Sequence, residues 1–334
     1  MKILISSHHF SPSTGGIEKV TELLAREFAR RGHNVRVVTQ TPGDGRFEFD
    51  VIRQPQAASL LSAVRWCDAY IQNNISLRTL WPVALVRRPL FIIHQTWITA
   101  PDGSTNSTHA LKRFALKFAE SFSISRAVAE SLPVKSTVIG NPYDDTVFRK
   151  VPATRRAKDL IFVGRLVSDK GADLLLDALA RLQRDGVRAS LTIVGDGPER
   201  QPLEERADRL DIADQVVFTG TRSSTEIAAL LNEHKIAVVP SRWSEPLGIV
   251  ALEAIACGCV VIGSAAGGLP EAIGPCGTTF PNGDTDALAA TIANLLRDEE
   301  QRAALRAASG AHLARFTSAH IAELYLDAIS AKLR

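Results

Sequence analysis

The run KILISSHHFSPSTGGIEKVTELLAREFARRGHNVRVVT, residues 2–39, decides the fold class. Lys2–Ser6 is a short apolar run bounded by polar residues, the pattern of a buried strand. Gly15-Gly16 follows. From about Ile17 to Arg31, Val20, Leu23, Leu24 and Phe28 recur at helical spacing, so one face of a helix is apolar. Gly32 stops that helix and Val35–Thr39 is strand-like again. Strand, glycine turn, amphipathic helix and strand make a βαβ unit, the building block of a parallel sheet.

The alternation continues outward. Further strands are expected at Ala69–Gln72, Leu90–His94, Ser121–Ser125 and Ser136–Gly140. Residues 1–142 thus form a first doubly wound domain, and 143–158, rich in Pro, Asp, Arg and Lys, reads as a linker. A second series fills 159–317. Its strands are Leu160–Val163, Ser190–Val194, Val216–Thr219, Ile236–Pro240 and Val260–Ser264; its helices are Ala172–Asp185, Glu199–Leu210, Ser224–Asn232 and Leu247–Cys257. A terminal helix at Ser318–Leu333 is free to pack back on the first domain. The expected architecture is α/β: two Rossmann-like doubly wound parallel sheets facing across a deep cleft, with ligand crevices at the carboxyl ends of their strands.

Composition sets the bounds. The chain has 334 residues, 45% hydrophobic and 22% charged, which is ordinary globular usage. Residues 1–150 carry 19 Lys and Arg against 12 Asp and Glu, while the rest carries 20 against 24. A basic first half suits an anionic ligand or an anionic membrane surface. Cys67, Cys257, Cys259 and Cys276 show no Cys-x-x-Cys spacing and read as small core residues, in keeping with a cytoplasmic protein. No stretch reaches the ~20 apolar residues of a membrane span. No metal-ligand cluster, Walker loop, nucleophile elbow or basic-aromatic nucleic-acid surface is visible in the sequence.

Chemistry concentrates at strand ends. In Pro240-Ser-Arg-Trp-Ser-Glu245-Pro-Leu-Gly-Ile-Val-Ala-Leu-Glu253, a strand gives way to a helix. Gly248 lets backbone approach a ligand, and the first-turn N–H groups at Ile249 and Val250, beside Leu247, suit a diphosphate. Glu245 and Glu253 are eight positions apart; on one helix they would share a face, about 12 Å apart. Carboxylates accept bonds from vicinal hydroxyls, so the pair suits a sugar and a ribose. In Gly164-Arg165-Leu-Val-Ser-Asp-Lys170-Gly171, the two cations at a strand end can neutralise a leaving diphosphate. Gly15 and Gly16 permit approach of a phosphate to a helix start. Gly195-Asp196-Gly197 lacks the third glycine of a dinucleotide fingerprint; Gly195, Thr219 and Gly220 are walls for a base, or turn chemistry alone. His94 ends a strand before the polar loop at 101–109, where a reacting substrate would sit; a structural histidine is the alternative. Residues 109–122 read as a basic amphipathic helix with Leu111, Phe114, Phe118 and Phe122 on one stripe. Such a helix packs on its sheet with lysines in solvent, or lies on an anionic bilayer.

These segments together resemble the GT4-family retaining glycosyltransferases of GT-B fold (glycosyl transferases group 1). The marks are Gly15-Gly16-x-Glu18, His33, His94, Ser125 with Ala127 and Gly140-Asn141-Pro142. In the second half they are Gly164-Arg165, Lys170-Gly171, Gly195-Asp196-Gly197, Phe218-Thr219-Gly220, the Glu-x7-Glu pair and Gly267-Gly268-x-Pro270-Glu271. The resemblance implies transfer of a sugar from a nucleoside-diphosphate sugar, a UDP-sugar foremost, with GDP- or ADP-sugars also within the family. The acceptor hydroxyl would belong to a sugar, a lipid-linked sugar or a small molecule, in glycan, glycolipid, exopolysaccharide or lipopolysaccharide synthesis. It further implies retention of configuration without an essential metal. No other cofactor and no nucleic-acid partner is expected, and the chain reads as cytosolic, with membrane contact through 109–122 as the alternative to packing of that helix on its sheet. Arg165 and Lys170 would hold the phosphates, Glu253 the ribose, and Glu245 the transferred sugar beside Leu247–Val250. Gly16 would approach the diphosphate from the first domain, with His94 near the reacting carbon. Pro246-Leu247 stands where Gly-Phe is common, and Asn141-Pro142-Tyr143-Asp144-Asp145 where Asn-Gly-Val-Asp is usual. A sugar-nucleotide epimerase and a catalytically silent sugar-nucleotide-binding protein are the competing classes.

Overall fold

Chain contacts divide the protein, described here by a computed structural model, into two units: Met1–Pro142 with Phe316–Arg334, and Tyr143–Arg315. The structure describes residues 1–13, 15–98, 107–152 and 154–334. The polar loop expected at 101–109 lies outside the described residues up to 106.

Among the described residues unit 1 holds seven parallel strands: β1 (Lys2–Ser7), β2 (Asn34–Thr39), β3 (Asp50–Arg53), β4 (Ala69–Asn73), β5 (Leu90–His94), β6 (Glu120–Ser123) and β7 (Thr137–Val138). Their order is β3-β2-β1-β4-β5-β6-β7. Ile3 lies opposite Val35 on one side and Ala69 on the other, so β1 is central. Ile3, Leu4 and Ile5 are buried on both faces, as covered parallel sheets require. The helix Gly16–Arg30 buries Val20, Leu23, Leu24 and Phe28, the stripe its spacing predicts. The terminal helix Ser318–Leu333 buries Ile321, Tyr325 and Ile329. Tyr325 donates its hydroxyl to the Gly140 carbonyl at 3.2 Å and meets the Phe122 ring edge-on at 5.4 Å, which fixes this helix on unit 1.

Unit 2 holds β8 (Lys158–Val163), β9 (Leu191–Val194), β10 (Val216–Gly220), β11 (His234–Val239), β12 (Val260–Ser264) and β13 (Gly277–Phe280), all parallel, in the order β10-β9-β8-β11-β12-β13. Residues 143–158 are tied to this unit. Asn232 donates to the Arg149 carbonyl and accepts from Val151 N, and Arg156 donates to the carbonyls of Leu231 and His234. All four cysteines are buried and free.

Several expectations need correction. The strand at Ser121–Ser125 stops at Ser123, because the Ser125 hydroxyl caps the helix Arg126–Glu130 by accepting from Val128 N. The strand at Ser136–Gly140 shrinks to Thr137–Val138 at the sheet edge. The helix at Leu247–Cys257 runs only from Ile249 to Ala256. The helix at 109–122 ends at Ala115, and Phe122 is a buried strand residue of β6. Its polarity is also inverted: Leu111, Phe114 and Phe118 face solvent, and no residue of Ser107–Ala115 is buried.

Candidate functional site

In unit 2 the chain moves outward from β8 to β9 and β10 on one side, then returns to β11 on the other. The carboxyl ends of β8 and β11 therefore flank the switch point, where open parallel sheets form a crevice. Lys170 comes from the loop after β8 and Glu245 from the loop after β11. They meet there: Lys170 Nζ donates to Glu245 Oε1 at 2.6 Å. Ser241 Oγ donates to the same oxygen at 2.7 Å, and Ser264 Oγ holds the Ser241 carbonyl at 2.7 Å. Glu245 Oε2 has no donor among the described residues, which leaves one carboxylate oxygen open to a ligand hydroxyl. The two side chains are only 22% and 13% exposed, so their attraction is weakly screened. Ser241 and Ser264 were not legible as site residues; the one signal was the position of Ser241 at a strand end, four residues before Glu245.

The loops are fastened backbone to backbone. The Asp169 carbonyl accepts from Arg242 N and Trp243 N at 2.9 and 3.1 Å, tying the Lys170 loop to the Glu245 loop. The Glu245 carbonyl accepts from Gly268 N at 2.7 Å. Arg242 grips the Asp173 carboxylate with two N–H groups at 2.5 and 2.8 Å. On the other flank, Gly164 N donates to Val194 O, and Gly195 N to Gly220 O, both at 3.0 Å. Gly195 sits at φ +136°, and a Cβ there would lie 1.9 Å from Gly164 O. Close loop packing therefore accounts for glycine at 195. Thr219 Oγ1 is spent on the Ile193 and Gly220 carbonyls, at 3.4 and 3.2 Å.

Gly248, at φ +95°, starts the helix Ile249–Ala256. Ala251 N bonds to Gly248 O, and the N–H groups of Ile249 and Val250 have no intrahelical acceptor, so two donors and a positive dipole end remain there. Glu245 lies in the loop ahead of this helix, so the 12 Å shared-face spacing expected for the two glutamates does not apply. Glu253 is half-buried among buried Ala251, Leu252, Ala254 and Ile255; Leu247 is buried. Arg165 is exposed at the end of β8 and pairs with no carboxylate among the described residues. No group of three or more metal-ligating side chains exists among the described residues.

Gly15, Gly16 and His94 belong to unit 1. Gly15 precedes the helix Gly16–Arg30, and the Glu18 carboxylate curls back over it: a Cβ on Gly15 would lie 2.4 Å from Glu18 Oε2. His94 is 1% exposed, with Nε2 3.2 Å from Ser121 Oγ on the neighbouring strand. Its strand-end position is as expected, but the ring is enclosed in the sheet end. Burial pushes its pKa down to about 4. Since the unfolded chain would take up that proton near pH 6.5, acid favours unfolding. Unfolding free energy is expected to fall as pH drops from 6.5 to 4, with up to about 3 kcal/mol of the loss due to His94. His234 and His312 are also held down by burial, so the readout is a difference. Urea melts of His94→Gln should show a shallower pH slope in that window; an unchanged slope would refute the assignment.

A family model described as glycosyl transferases group 1 matches residues 144–311. Similar curated proteins include the GDP-mannose-dependent alpha-(1-6)-phosphatidylinositol monomannoside mannosyltransferase of Mycolicibacterium smegmatis. It is 36% identical over 179 residues, covering 49% of this chain and 47% of that protein. The D-inositol 3-phosphate glycosyltransferase of Mycolicibacterium paratuberculosis is 36% identical over 222 residues, covering 60% of this chain and 48% of its own. The chain thus spans about half the length of the curated relatives it matches. Among solved structures, that of Anabaena Alr3699/HepE in complex with UDP and glucose superposes with a TM-score of 0.81 at 22% identity, covering 99% of this chain and 100% of the other. That likeness is one of fold.

Proposed function

The chain belongs to the glycosyl transferases group 1 family, of GT-B fold, and from that premise we propose that it transfers a sugar from a nucleoside-diphosphate sugar to an acceptor hydroxyl with retention of configuration. The observation that carries the proposal is the Lys170–Glu245 contact at the β8/β11 switch point, beside the open N–H groups of Ile249 and Val250.

In this reading Lys170 and Arg165 bind the diphosphate, with the helix start behind it. Lys170 Nζ has three donors and spends one on Glu245, so two remain for phosphate oxygens. Glu245 Oε2 accepts sugar hydroxyls, Glu253 accepts the ribose hydroxyls, and the loops at Gly164, Gly195, Thr219 and Gly220 border the base. The acceptor oxygen attacks the anomeric carbon on the face from which the phosphate departs. The carbon–oxygen bond to phosphate breaks, its electron pair stays on the diphosphate, and the acceptor proton passes to that phosphate oxygen. Two cations beside the diphosphate stabilise the charge that grows there. Gly15, Gly16 and His94 stand on unit 1, to which the reading gives the acceptor: a sugar, a lipid-linked sugar or a small molecule. Membrane contact through the exposed Leu111, Phe114 and Phe118 serves the lipid-linked case.

A melting series tests the donor half. UDP-sugars, then GDP- and ADP-sugars, are expected to raise the melting temperature; ligand at 100 times Kd adds about 2.7 kcal/mol. Glu253→Ala should abolish the shift while leaving the unliganded melting temperature within a few degrees. Failure of all three donor classes to shift the wild-type chain would overturn the proposal.

A further inference from the structure

Glu245 is held at two levels. Its backbone is pinned by the turn after β12. Gly268 N donates to the Glu245 carbonyl at 2.7 Å, and Gly267, at φ +63°, packs so closely that a Cβ there would lie 2.2 Å from that carbonyl oxygen. Its carboxylate is held through Oε1 alone among the described residues, by Lys170 Nζ at 2.6 Å and Ser241 Oγ at 2.7 Å. A carboxylate oxygen offers about two lone-pair sites, so Oε1 is filled and Oε2 keeps both of its own. Turning the carboxylate over would break both bonds at once.

The two holders respond differently to a bound donor. Lys170 is a long cation, partly exposed, and a diphosphate beside it draws on the same N–H groups that Glu245 uses. Ser241 is a short neutral donor enclosed in the fold. It is buried just past the carboxyl end of β11, and its carbonyl accepts from Ser264 Oγ at 2.7 Å. Ser264, also buried, is the last residue of β12, which pairs with β11 so that Gly263 lies opposite Val239. The hydroxyl that reaches Glu245 is therefore carried by the sheet itself.

We propose that Ser241, steadied by Ser264, is a positioning residue for sugar selectivity: it holds Glu245 Oε1 while Lys170 serves the diphosphate, so that Oε2 meets hydroxyls of the transferred sugar at one fixed place. This role rests on the reading of Glu245 as the group that meets that sugar. Ser241 itself touches neither sugar nor phosphate and acts only through the carboxylate. A fixed acceptor favours a sugar whose hydroxyls lie where Oε2 stands, and is left as an unpaired charge against a sugar that lacks them. A carboxylate free to turn accepts from differently placed hydroxyls and discriminates less.

Steady-state kinetics of the full chain test it, with the donor that the melting series selects and with analogues of that donor each lacking one ring hydroxyl. In the wild type the most sensitive analogue should lose about tenfold or more in kcat/KM. Ser241→Ala should lower kcat/KM for the full donor about tenfold and shrink the analogue's penalty to about threefold, which is coupling between a side chain and a hydroxyl it does not touch. Ser264→Ala should act in the same direction more weakly. Combined with Ser241→Ala it should add nothing, because both work on one carboxylate. Ser241→Cys, which keeps a weak donor of similar size, should fall between wild type and Ser241→Ala. The melting shift given by the free nucleoside diphosphate should be the same in every variant, since that ligand carries no sugar. Equal losses on donor and analogue would make Ser241 merely structural and overturn the assignment. So would a Ser241→Ala enzyme with wild-type discrimination, or a wild type indifferent to every missing hydroxyl. If Ser241→Ala does not fold, Ser264→Ala and Ser241→Cys carry the same comparison. A wild-type chain whose melting no nucleotide sugar shifts would overturn the sugar-transfer reading itself; a shift that is present with discrimination unchanged in the variants would overturn the role of Ser241 alone.

Discussion

Lys170→Ala is expected to lower kcat for sugar transfer by about 10²–10³-fold, the loss found when one preorganised charge donor is taken from a developing anion. Lys170 acts in two ways. Lys170 is one of two cations at the β8 end, and the leaving diphosphate gains negative charge as the anomeric bond breaks, so its contribution grows in the transition state. Lys170 also holds Glu245 through the 2.6 Å contact to Oε1. Without it, that carboxylate keeps only Ser241 Oγ, and a side chain 13% exposed is left with its charge uncompensated. The variant therefore loses phosphate stabilisation and misplaces the group meant for the sugar. Two companions divide these effects. Glu245→Gln keeps Lys170 and should lower kcat less than Lys170→Ala does. The double variant Lys170→Ala, Glu245→Gln should be less impaired than the product of the single losses, because the unpaired carboxylate is gone. Steady-state kinetics with the donor found by the melting series provide the numbers, and circular dichroism with melting checks the fold. A Lys170→Ala enzyme within a factor of three of wild type would remove Lys170 from the reaction.

How far the sequence carries depends on whether a feature is local. Leu90–His94, Val260–Ser264 and Ser318–Leu333 fall where their patterns put them, because each is an apolar run or periodic stripe with turn chemistry at both ends. β3, Asp50–Arg53, is not legible in the sequence because it is a half-exposed edge strand with no apolar alternation. The stripe Leu111, Phe114, Phe118 was legible as a stripe, but periodicity does not say what a stripe faces. Here the chain turns into β6 at Glu120, so Phe122 is buried while the rest of the stripe is left in solvent. The site shows the same division. Lys170 and Glu245 are each legible from a strand end and a neighbouring glycine, yet their contact, across 75 positions, follows from β8 and β11 being neighbours. Strand order is a property of the whole sheet, and no local pattern encodes it. Ser241 and Ser264 belong to that same category: small polar residues whose importance comes from the partner across the sheet.

Gly195→Ala tests whether loop packing positions the site, and its expected cost is about 3–5 kcal/mol, at the upper end of single substitutions. Two terms add. A residue at φ +136° is in a region essentially reserved for glycine, which costs of order 1–3 kcal/mol. The added methyl would also stand 1.9 Å from Gly164 O, a backbone atom in a loop fixed by Gly164 N to Val194 O and Leu166 N to Asp196 O. No side chain can swing aside there; the β8 and β9 loops must part, breaking at least one of those bonds. Gly186→Ala is the control. Gly186 is also at positive φ, +77°, but nothing lies within 4 Å of the position a Cβ would take. It should cost only the left-handed backbone term, about 1 kcal/mol. With ~2–4 °C of melting temperature per kcal/mol for a unit of this size, Gly195→Ala should melt roughly 10 °C below wild type and Gly186→Ala only a few degrees below. Because Arg165 and Lys170 ride on the loop that must move, Gly195→Ala should also lose the donor-induced melting shift at temperatures where it remains folded, whereas Gly186→Ala keeps it. If the two alanine variants lost equal stability, the clash would carry no cost and the glycine at 195 would have to be explained by contact with a ligand instead of contact between loops.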